Sequence, residues 1–498
     1  DGIIGTLTPS FSLASPSDTG YTGAGIASVV VQVSTNDGTS WTTKGTSSST
    51  SSPYAITLSG LTSQTTYKIQ ALVTDTAGNT STTPLSTTNA LVTVDTTAPT
   101  AGTVTMTTND PGSDGIVNTL TPSFELAVSG TSDGSYTGSG SNATGISSVR
   151  LQVSSNGGTT WDDNATFTAP ASGGTAYTVT ASPALVSGTT YSVRALVTDL
   201  ATNTVTSALS TTNGRITVDT TAPTVGTLTL DTDNGSSSSD GIVGTLTPAF
   251  TLATASDASY TGTSAPTAAI ASVVVQVSTN DGGSWTTKGT SSSTSSPYAI
   301  TLSGLTSQTT YKIQALVTDT AGNTSTTPLS TTNALVTVDT TAPTAGTVTM
   351  TTNDPGSDGI VNTLTPSFEL AVSGTSDGSY TGSGSNATGI SSVRLQVSSN
   401  GGTTWDDNAT FTAPASGGTA YTVTASPALV SGTTYSVRAL VTDLATNTVT
   451  SALSTTSGKI TVDTTAPTPG TLTMTSTDTG SASNDGIVNN ATPAFSLS

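Results

Sequence analysis

The sequence predicts an all-β protein, built as a tandem array of β-sandwich domains that extends into an elongated rod. Three observations support this prediction. An Asp-Gly-Ile turn recurs at intervals of 113 to 127 residues, which is the length of one small domain. Apolar and polar residues alternate along short segments, as in half-buried strands. The acidic residues are nearly all aspartate, and aspartate favours turns over helices.

The repeated turns and the linkers before them divide the chain into units. A Val-Asp-Thr-Thr-Ala-Pro linker begins at each of Val94, Val218, Val338 and Val462. The predicted domains are residues 1–97 (without strand A), 98–221, 222–341, 342–465, and 466–498, which hold only strands A and B of a fifth domain. Because both ends fall inside a domain, we expect the sequence to be a window of a longer protein.

The repeated module is a pair of unlike units. Residues 26–212 match residues 270–456 at every position except Thr39, which aligns with Gly283. We call units 1 and 3 the A units and units 2 and 4 the B units. Positions that stay alike between A and B units are expected to serve the fold, because the two unit types have otherwise diverged.

Comparison of the unit types predicts which face of each strand is buried. In the long strand near the start of unit 1, Val29 and Val31 stay apolar in unit 2, as Val149 and Leu151. The intervening residue changes from valine to Arg150. Because side chains alternate between the two faces of a strand, the charge falls on one face only. The other face is therefore predicted to form the core.

A second pattern narrows the type of sandwich. Leu61-x-x-x-Thr65-x-Tyr67 precedes the longest alternating segment, and Tyr191 ends the same pattern in unit 2. This is the sequence of a tyrosine corner, which favours an immunoglobulin-like or fibronectin-type sandwich. The strand after it is strand F. It ends in the F–G turn, which reads Asp-Thr-Ala-Gly-Asn at 75–79 but Asp-Leu-Ala-Thr-Asn at 199–203.

Composition excludes several classes of function. The chain has no cysteine and no histidine, so disulfides, thiol nucleophiles and the usual general base are absent. Its net charge of −20 opposes binding to nucleic acid or to an anionic membrane surface. It has no run of apolar residues long enough for a membrane-spanning helix, so no direct membrane insertion is expected of this segment. No acid–base pair recurs, and the sequence predicts that the protein is not an enzyme.

The repeated aspartates point to the places where domains meet. In such sandwiches the A–B loop lies at the C-terminal end of a domain, whereas the B–C and F–G loops lie at the N-terminal end. We therefore expect Asp114, the linker residue Asp219 and Asp319 with Asn323 to converge at one joint. The B–C loops add Asp18, Asp133, Asp257 and Asp377 near the same end.

Such gathered carboxylates suit calcium, which binds oxygen ligands in flexible loops. The alternative is that these residues only cap turns. The predicted calcium ligands, all in linkers, A–B loops or F–G loops, are Asp1, Asp95, Asp110, Asp114, Asp199, Asn203, Asp219, Asp240, Asp319, Asn323, Asp339, Asp354, Asp358, Asp443, Asn447, Asp463 and Asp485.

Three motifs together resemble a known class of repeat. They are the Val-Asp-Thr-Thr-Ala-Pro linker, the Asp-Gly-Ile turn before Thr-Pro-x-Phe, and Arg-Ala-Leu-Val-Thr-Asp at 194–199. They resemble the bacterial immunoglobulin-like repeats of giant surface adhesins, of the biofilm-associated and repeats-in-toxin types. The likeness extends over essentially the whole chain. It implies an extracellular location at the bacterial cell surface, a stalk role and calcium at the domain junctions.

Three functions remain open from the sequence. The first is a stalk whose partners are the neighbouring repeats of the same chain. The second is a subunit of an extracellular filament, sheath or surface layer, in which other copies of the chain make lateral contacts. The third is a carbohydrate-binding accessory module, which would need exposed aromatic residues on one face, whereas each unit offers one tryptophan in a hairpin. That Ser-x-Asn-x-Gly-x-x-Trp hairpin, at 34–41 in unit 1, also resembles the box of sialidase propellers. Its spacing of about one per unit favours an ordinary hairpin, since a propeller repeats about every 40–50 residues.

Overall fold

The computed structural model describes residues 2–19, 25–134, 145–211, 214–257, 270–331, 334–378, 389–455, 458–477 and 485–498. The regular structure of these residues is strand, apart from short 3₁₀ turns such as the one at Thr88–Ala90. Unit 1 contains β1 (Ile3–Ile4), β2 (Ser10–Leu13), β3 (Ile26–Ser34), β4 (Thr42–Thr46), β5 (Tyr54–Thr57), β6 (Thr65–Asp75), β7 (Thr80–Pro84) and β8 (Leu91–Val94). Unit 2 contains β9 (Val104–Met106), β10 (Ile116–Val117), β11 (Ser123–Ala127), β12 (Ile146–Ser154), β13 (Asp162–Thr166), β14 (Ala176–Thr180), β15 (Thr189–Asp199), β16 (Thr204–Ala208) and β17 (Arg215–Val218).

Units 3 and 4 repeat this order of strands. Unit 3 contains β18 (Thr224–Val225), β19 (Leu228–Leu230), β20 (Ile242–Val243), β21 (Ala249–Leu252), β22 (Ala255–Ser256), β23 (Ile270–Ser278), β24 (Thr286–Thr290), β25 (Tyr298–Thr301), β26 (Thr309–Asp319), β27 (Thr324–Pro328) and β28 (Leu335–Val338). Unit 4 contains β29 (Val348–Met350), β30 (Ile360–Val361), β31 (Ser367–Ala371), β32 (Ile390–Ser398), β33 (Asp406–Thr410), β34 (Ala420–Thr424), β35 (Thr433–Asp443), β36 (Thr448–Ala452) and β37 (Lys459–Val462). Residues 466–498 contribute β38 (Leu472–Met474) and β39 (Phe495–Leu497), which pair with each other.

Each full unit is a sandwich of two sheets, as unit 2 illustrates. A three-stranded sheet in the order β14-β11-β9 packs against a six-stranded sheet in the order β10-β17-β15-β12-β13, in which β16 also pairs with β15. In immunoglobulin notation β9, β11 and β14 are strands A, B and E. Strands C, C′ and F are β12, β13 and β15, and strand G is split into β16 and β17. The predicted all-β fold of tandem immunoglobulin-like sandwiches is confirmed.

Alternation along the strands creates the core that the sequence predicted. Phe124 and Leu126 of β11 are fully buried, whereas Glu125 between them points away from the core. Val149 and Leu151 are buried and Arg150 is exposed. The four core clusters span residues 29–94, 104–218, 228–338 and 348–462, so each lies within one of the predicted domain ranges.

The tyrosine corner is present in every full unit. The hydroxyl of Tyr67 accepts a hydrogen bond from the main-chain N–H of Thr62 at 2.9 Å. Tyr191 accepts the corresponding bond from Val186 at 3.1 Å. These bonds fix the start of strand F against the preceding loop, as the sequence motif predicted.

One strand, β10, lies inside the segment predicted to be the A–B loop, residues 109–118. The two-residue strand β10 follows the Asp-Gly turn and pairs in parallel with β17, with Ile116 opposite Thr217 and Val117 opposite Val218. The ladder continues by one bond into the linker, because the N–H of Asp219 donates to the carbonyl of Val117 at 2.9 Å. This pairing attaches the linker to the body of unit 2 and fixes where its aspartate lies.

Candidate metal centre at the domain joints

Three clusters of aspartate lie where one described unit meets the next. In each cluster, one carboxylate oxygen from every member lies within 4.8 Å of the others. The clusters are Asp95 with Asp133 and Asp199, Asp219 with Asp257 and Asp319, and Asp339 with Asp377 and Asp443. The joints therefore repeat one arrangement of three acids.

Different elements supply the three acids of a cluster, as the joint between units 2 and 3 shows. Asp219 belongs to the linker that follows β17. Asp257 follows β22 in the B–C loop of unit 3, and Asp319 is the last residue of strand F, β26. Two acids thus come from the N-terminal end of the later unit, and the linker delivers the third. The set is complete only when the linker is docked on that unit.

The clusters are buried, apart from the half-buried Asp257, and none of the ion pairs among the described residues reaches them. Asp219 and Asp319 are each 1 % exposed, and Asp443 is fully buried. These four ion pairs use Asp37, Asp163, Asp281 and Asp407, none of which belongs to a cluster. Burying several carboxylates together without a positive charge is unfavourable, because each loses its hydration and repels the others.

Hydrogen bonds satisfy some of the oxygens in the cluster and leave others unmet. Oδ1 of Asp219 accepts the N–H of Thr221 at 3.0 Å, in a turn formed by the linker itself. Its Oδ2 is buried without a hydrogen-bond partner, and so is Oδ1 of Asp377 in the third cluster. Because buried polar atoms are nearly always partnered, these oxygens indicate that a further ligand belongs in the cluster.

The pKa values of two clustered aspartates are raised by burial and by their acidic neighbours. Burial, together with the nearby Asp257 and Asp319, raises the pKa of Asp219 to about 6. Burial and the neighbouring Asp339 and Asp443 raise the pKa of Asp377 to about 7. Without a cation, these carboxyl groups therefore hold protons far more tightly than an exposed aspartate.

The amide nitrogens of the predicted asparagine ligands make hydrogen bonds across the joints. Nδ2 of Asn323 donates to Oδ2 of Asp319 at 3.0 Å and to the main-chain carbonyl of Asp219 at 3.0 Å. Asn203 and Asn447 make the same two kinds of bond at the other joints. The asparagine amide thus fastens the linker to the F–G loop and orients one aspartate of the cluster.

The expected convergence of A–B loop acids with the linker acids is wrong. The parallel register of β10 and β17 places Asp114 opposite Arg215 and Asp219 opposite Asn118. Asp114 and Asp219 are therefore four residues apart along the direction of the strands. At roughly 3.3 Å per residue, this separation is about 13 Å. The registers of β20 with β28 and of β30 with β37 separate Asp240 from Asp339 and Asp358 from Asp463 in the same way.

The A–B loop acids instead hold their own turn together. Oδ2 of Asp110 accepts the N–H of Gly115 at 2.8 Å, and Oδ1 of Asp114 accepts the N–H of Ile116 at 3.0 Å. Asp354 and Asp358 repeat both bonds in unit 4. Asp240 bonds to Ile242 in unit 3. For these residues the structure provides the turn-capping role that the sequence analysis held as the alternative.

Two further predicted ligands, Asp463 and Asp485, stand apart from the three clusters. Asp463, in the linker after unit 4, is exposed and accepts the N–H of Thr465 at 2.9 Å. Asp485 accepts the N–H of Ile487 at 3.0 Å. Asp1 lies outside the described residues.

The third member of each cluster was the weakest part of the sequence prediction. Asp133, Asp257 and Asp377 were placed near the correct end of their units but not among the ligands. The signal that identifies them is their position in the Ser-Asp pair that closes the start of each B–C loop. In units 2, 3 and 4 the serine of this pair forms an antiparallel bridge with the threonine just after the linker proline. This bridge carries the next residue to the joint.

The geometry of the clusters fits a calcium ion. Calcium binds oxygen at about 2.3–2.6 Å, so two ligands of one ion lie no more than about 5 Å apart. The spacing of at most 4.8 Å meets this condition. The donors are hard carboxylate oxygens, two of which have no hydrogen-bond partner. The linker and F–G turn also bring main-chain carbonyls to the joint, and calcium accepts these as ligands.

Comparison with known proteins gives the class of the repeats. The family profile of the bacterial Ig-like domain matches residues 19–89 and 222–333, in units 1 and 3. The matched parts of units 1 and 3 are similar to bacterial immunoglobulin-like domains, a type of domain often found at cell surfaces and typically without enzymatic activity. No curated protein sequence matches the chain.

Solved structures that resemble the chain do so weakly. They include the FN1–FN3 domains of chicken CNTN1, with 11% identity, coverage of 71% of this chain and 98% of that one, and a TM-score of 0.24. A marsupial T cell receptor shares 9% identity over 71% of this chain and 97% of its own, with a TM-score of 0.26. The Bacteroides ovatus glucan-utilisation protein SGBP-B, solved with a mixed-linkage heptasaccharide, shares 14% identity over 86% of both chains, with a TM-score of 0.15.

Among the described residues, no helix has the length and apolar character needed to cross a membrane.

Proposed function

We propose that this chain is the repetitive stalk of a secreted bacterial surface adhesin, and that calcium stiffens its joints. The supporting observation is the buried cluster of three acids at each joint, with Oδ2 of Asp219 as its clearest unpartnered oxygen. A structural repeat needs no reacting groups, but it does need joints that keep their angle. The family resemblance to surface adhesins points to the same role.

The linker residue Asp219 is bonded to both units that meet at the joint. The N–H of Asp219 is bonded to unit 2 through Val117, and its carbonyl is bonded to unit 3 through Asn323. The linker is thereby fixed on both sides. Bound calcium supplies the positive charge that lets the carboxylates of Asp219, Asp257 and Asp319 remain ionised in one buried place.

Loss of the cation is expected to open the joint while leaving the units folded. Each unit has its own core, and the linker acid belongs to none of them. The simplest relief of carboxylate repulsion is for the linker and the later unit to move apart. The chain should therefore become flexible at its joints rather than unfold.

Small-angle scattering of the full chain with calcium and after chelation tests this proposal. Strands of eight to ten residues rise about 30 Å, so a unit with its linker spans about 40 Å and four units about 150 Å. We expect a maximum dimension near this length with calcium, and a smaller radius of gyration after EGTA treatment. An unchanged scattering curve, together with no calcium in elemental analysis, would overturn the proposal.

A further inference from the structure

A second contact at each joint distinguishes the A units from the B units. Each unit has a two-residue strand after its Asp-Gly turn (β1, β10, β20 and β30). The residue that follows this strand is glycine in A units (Gly5 and Gly244) and asparagine in B units (Asn118 and Asn362). It lies against the F–G loop of the next unit, and the fourth residue of that loop also differs between the unit types. That residue is threonine in B units (Thr202 and Thr446) and glycine in A units (Gly78 and Gly322). At the joints between units 2 and 3 and between units 3 and 4, a small residue therefore lies close to a larger one.

Where an A unit precedes a B unit, the glycine is needed for space. A methyl group placed on Gly244 would lie 2.6 Å from the carbonyl oxygen of Ala445 in unit 4. One placed on Gly5 would lie 2.6 Å from the carbonyl oxygen of Ala201 in unit 2. Neither glycine has a positive φ, so its backbone conformation is open to other residues. The requirement for glycine comes from the neighbouring unit.

The joint between units 3 and 4 also carries direct hydrogen bonds from the A–B loop. The N–H of Ser236 donates to the carbonyl of Leu444 at 2.7 Å. The hydroxyl of Thr446 lies 3.4 Å from the carbonyl of Asn234 and donates to it. Thr446 has φ of 73°, an unfavourable conformation for a β-branched residue. Its presence where A units have glycine is explained by this contact with the preceding unit.

Where a B unit precedes an A unit, the sizes are reversed. A methyl group placed on Gly322 of unit 3 would lie 3.1 Å from Cγ of Pro111 and 3.5 Å from Nδ2 of Asn118. A threonine there would carry two further heavy atoms toward these side chains of unit 2. Gly322 therefore accommodates the larger residues that end a B unit.

We infer that the joints are sterically keyed, so that the C-terminal end of an A unit accepts a B unit and the C-terminal end of a B unit accepts an A unit. An A unit followed by an A unit would bring glycine to glycine and lose the packing between them. A B unit followed by a B unit would bring asparagine and proline against threonine, which overpacks the joint. The alternating order of the chain is thus specified by contacts at the joints, since a mismatch is disfavoured.

The inference is tested by changing the contact residue of unit 3 at its joint with unit 4, in the full chain. Gly244→Asn gives unit 3 the residue that a B unit has, and Asn118 shows that this position tolerates asparagine within a unit. Cysteines at Thr286 and Asp406, exposed at the start of C′ in units 3 and 4, carry spin labels, because the native chain has no cysteine. Pulsed electron spin resonance then measures the distribution of distances across the joint.

We expect a narrow distribution in the labelled parent and a broader or displaced one in Gly244→Asn. Adding Leu444→Thr and Thr446→Gly converts the F–G loop of unit 4 to the A type, the type that lies against Asn118 in the joint between units 2 and 3. This compensated variant should have a narrower distribution of distances than Gly244→Asn alone. A label pair across units 2 and 3 should be unaffected by all three changes. The inference is overturned if Gly244→Asn leaves the distribution unchanged, or if the compensated variant is no narrower than the single one.

The measurement is repeated with calcium and after chelation. The keyed contact uses uncharged groups, so the difference between Gly244→Asn and its compensated variant should persist in both conditions. This separates the inference from the calcium proposal, which predicts instead that chelation broadens the distribution of the parent chain.

Discussion

The side-chain amide of Asn323 donates a hydrogen bond to the main-chain carbonyl of Asp219, 3.0 Å away across the joint between units 2 and 3. The same amide holds Oδ2 of Asp319 at 3.0 Å. One residue of the F–G loop therefore positions the linker and an acid of the cluster together. The arrangement implies that the joint is partly organised before any cation binds.

Asn323→Ala should loosen this joint. It removes the bonds to the Asp219 carbonyl and the Asp319 carboxylate, each contributing about 1 kcal/mol or somewhat more where a charge is involved. We expect weaker calcium binding at this joint and a broader distance distribution between labels in units 2 and 3. The matched control is Asn79→Ala, because Asn79 makes the same bond to Asp75, at 2.8 Å, within unit 1. Equal effects of both variants on the joint between units 2 and 3 would contradict this role.

Asp114→Asn should leave the amount of bound calcium unchanged. Asp114 caps the turn before β10 and lies about 13 Å along the strand pair from the level of Asp219. We expect a small loss in the stability of unit 2 and the same calcium content by elemental analysis. A loss of one ion per chain would show that the A–B loop acid is a ligand after all.

The stability of the calcium-free chain should fall as the pH rises. The pKa values of Asp219 and Asp377, about 6 and about 7, lie above the ordinary value of 3.8 that these groups regain on unfolding. Between about pH 4 and pH 7 the folded chain therefore binds more protons than the unfolded chain, and its free energy of unfolding decreases as these protons are lost. The effect is on the order of 3 kcal/mol for Asp219 and on the order of 4 kcal/mol for Asp377.

Differential scanning calorimetry of metal-free protein between pH 4.5 and 7.5 checks this sign. We expect a higher melting temperature of units 3 and 4 at the acidic end. Asp219→Asn combined with Asp377→Asn should flatten the trend, because the two groups then no longer titrate. A metal-free parent that becomes more stable as the pH rises would refute the prediction.

Thr202→Gly should stabilise unit 2 by about 1 kcal/mol. Thr202 has φ of 72°, in the left-handed region where a β-branched residue is strained and glycine is not. Chemical denaturation should therefore show a higher midpoint for unit 2. Gly78→Thr, at the corresponding position of unit 1 with φ of 89°, should lower the midpoint of that unit. A Thr202→Gly variant less stable than the parent would mean that the contacts of the threonine stabilise unit 2 by more than its backbone strain destabilises it.

The sequence predicted the strands better than the joints, for physical reasons. Period-two alternation identified Val29, Val31 and Val149 as core because a buried face tolerates no charge, and that rule is local. The tyrosine corner at Tyr67 was predictable for the same reason. The position of Asp114 relative to Asp219 depends instead on the parallel pairing of a two-residue strand. Nothing in the local pattern around Ile116 and Val117 identifies its partner.

The composition of the clusters was also only partly predictable. Linker and F–G loop acids such as Asp219 and Asp319 followed from the order of loops in a sandwich. Asp257 required knowing that Ser256 bridges to Thr224, which turns the B–C loop toward the linker. The role of Asn323 as a donor to the linker carbonyl could not be read from its sequence, because an asparagine amide offers both a donor and an acceptor.

Calcium content per chain, in the parent and in Asp257→Asn, tests the central claim most directly. Asp257 contributes a carboxylate to the cluster of the joint between units 2 and 3 and belongs to no other cluster. Clusters about 40 Å apart share no ligands, so the others should be unaffected. After dialysis against micromolar calcium, elemental analysis should find at least three ions per chain in the parent and one fewer in the variant. Equal content in both proteins, or no calcium in the parent, would contradict the account.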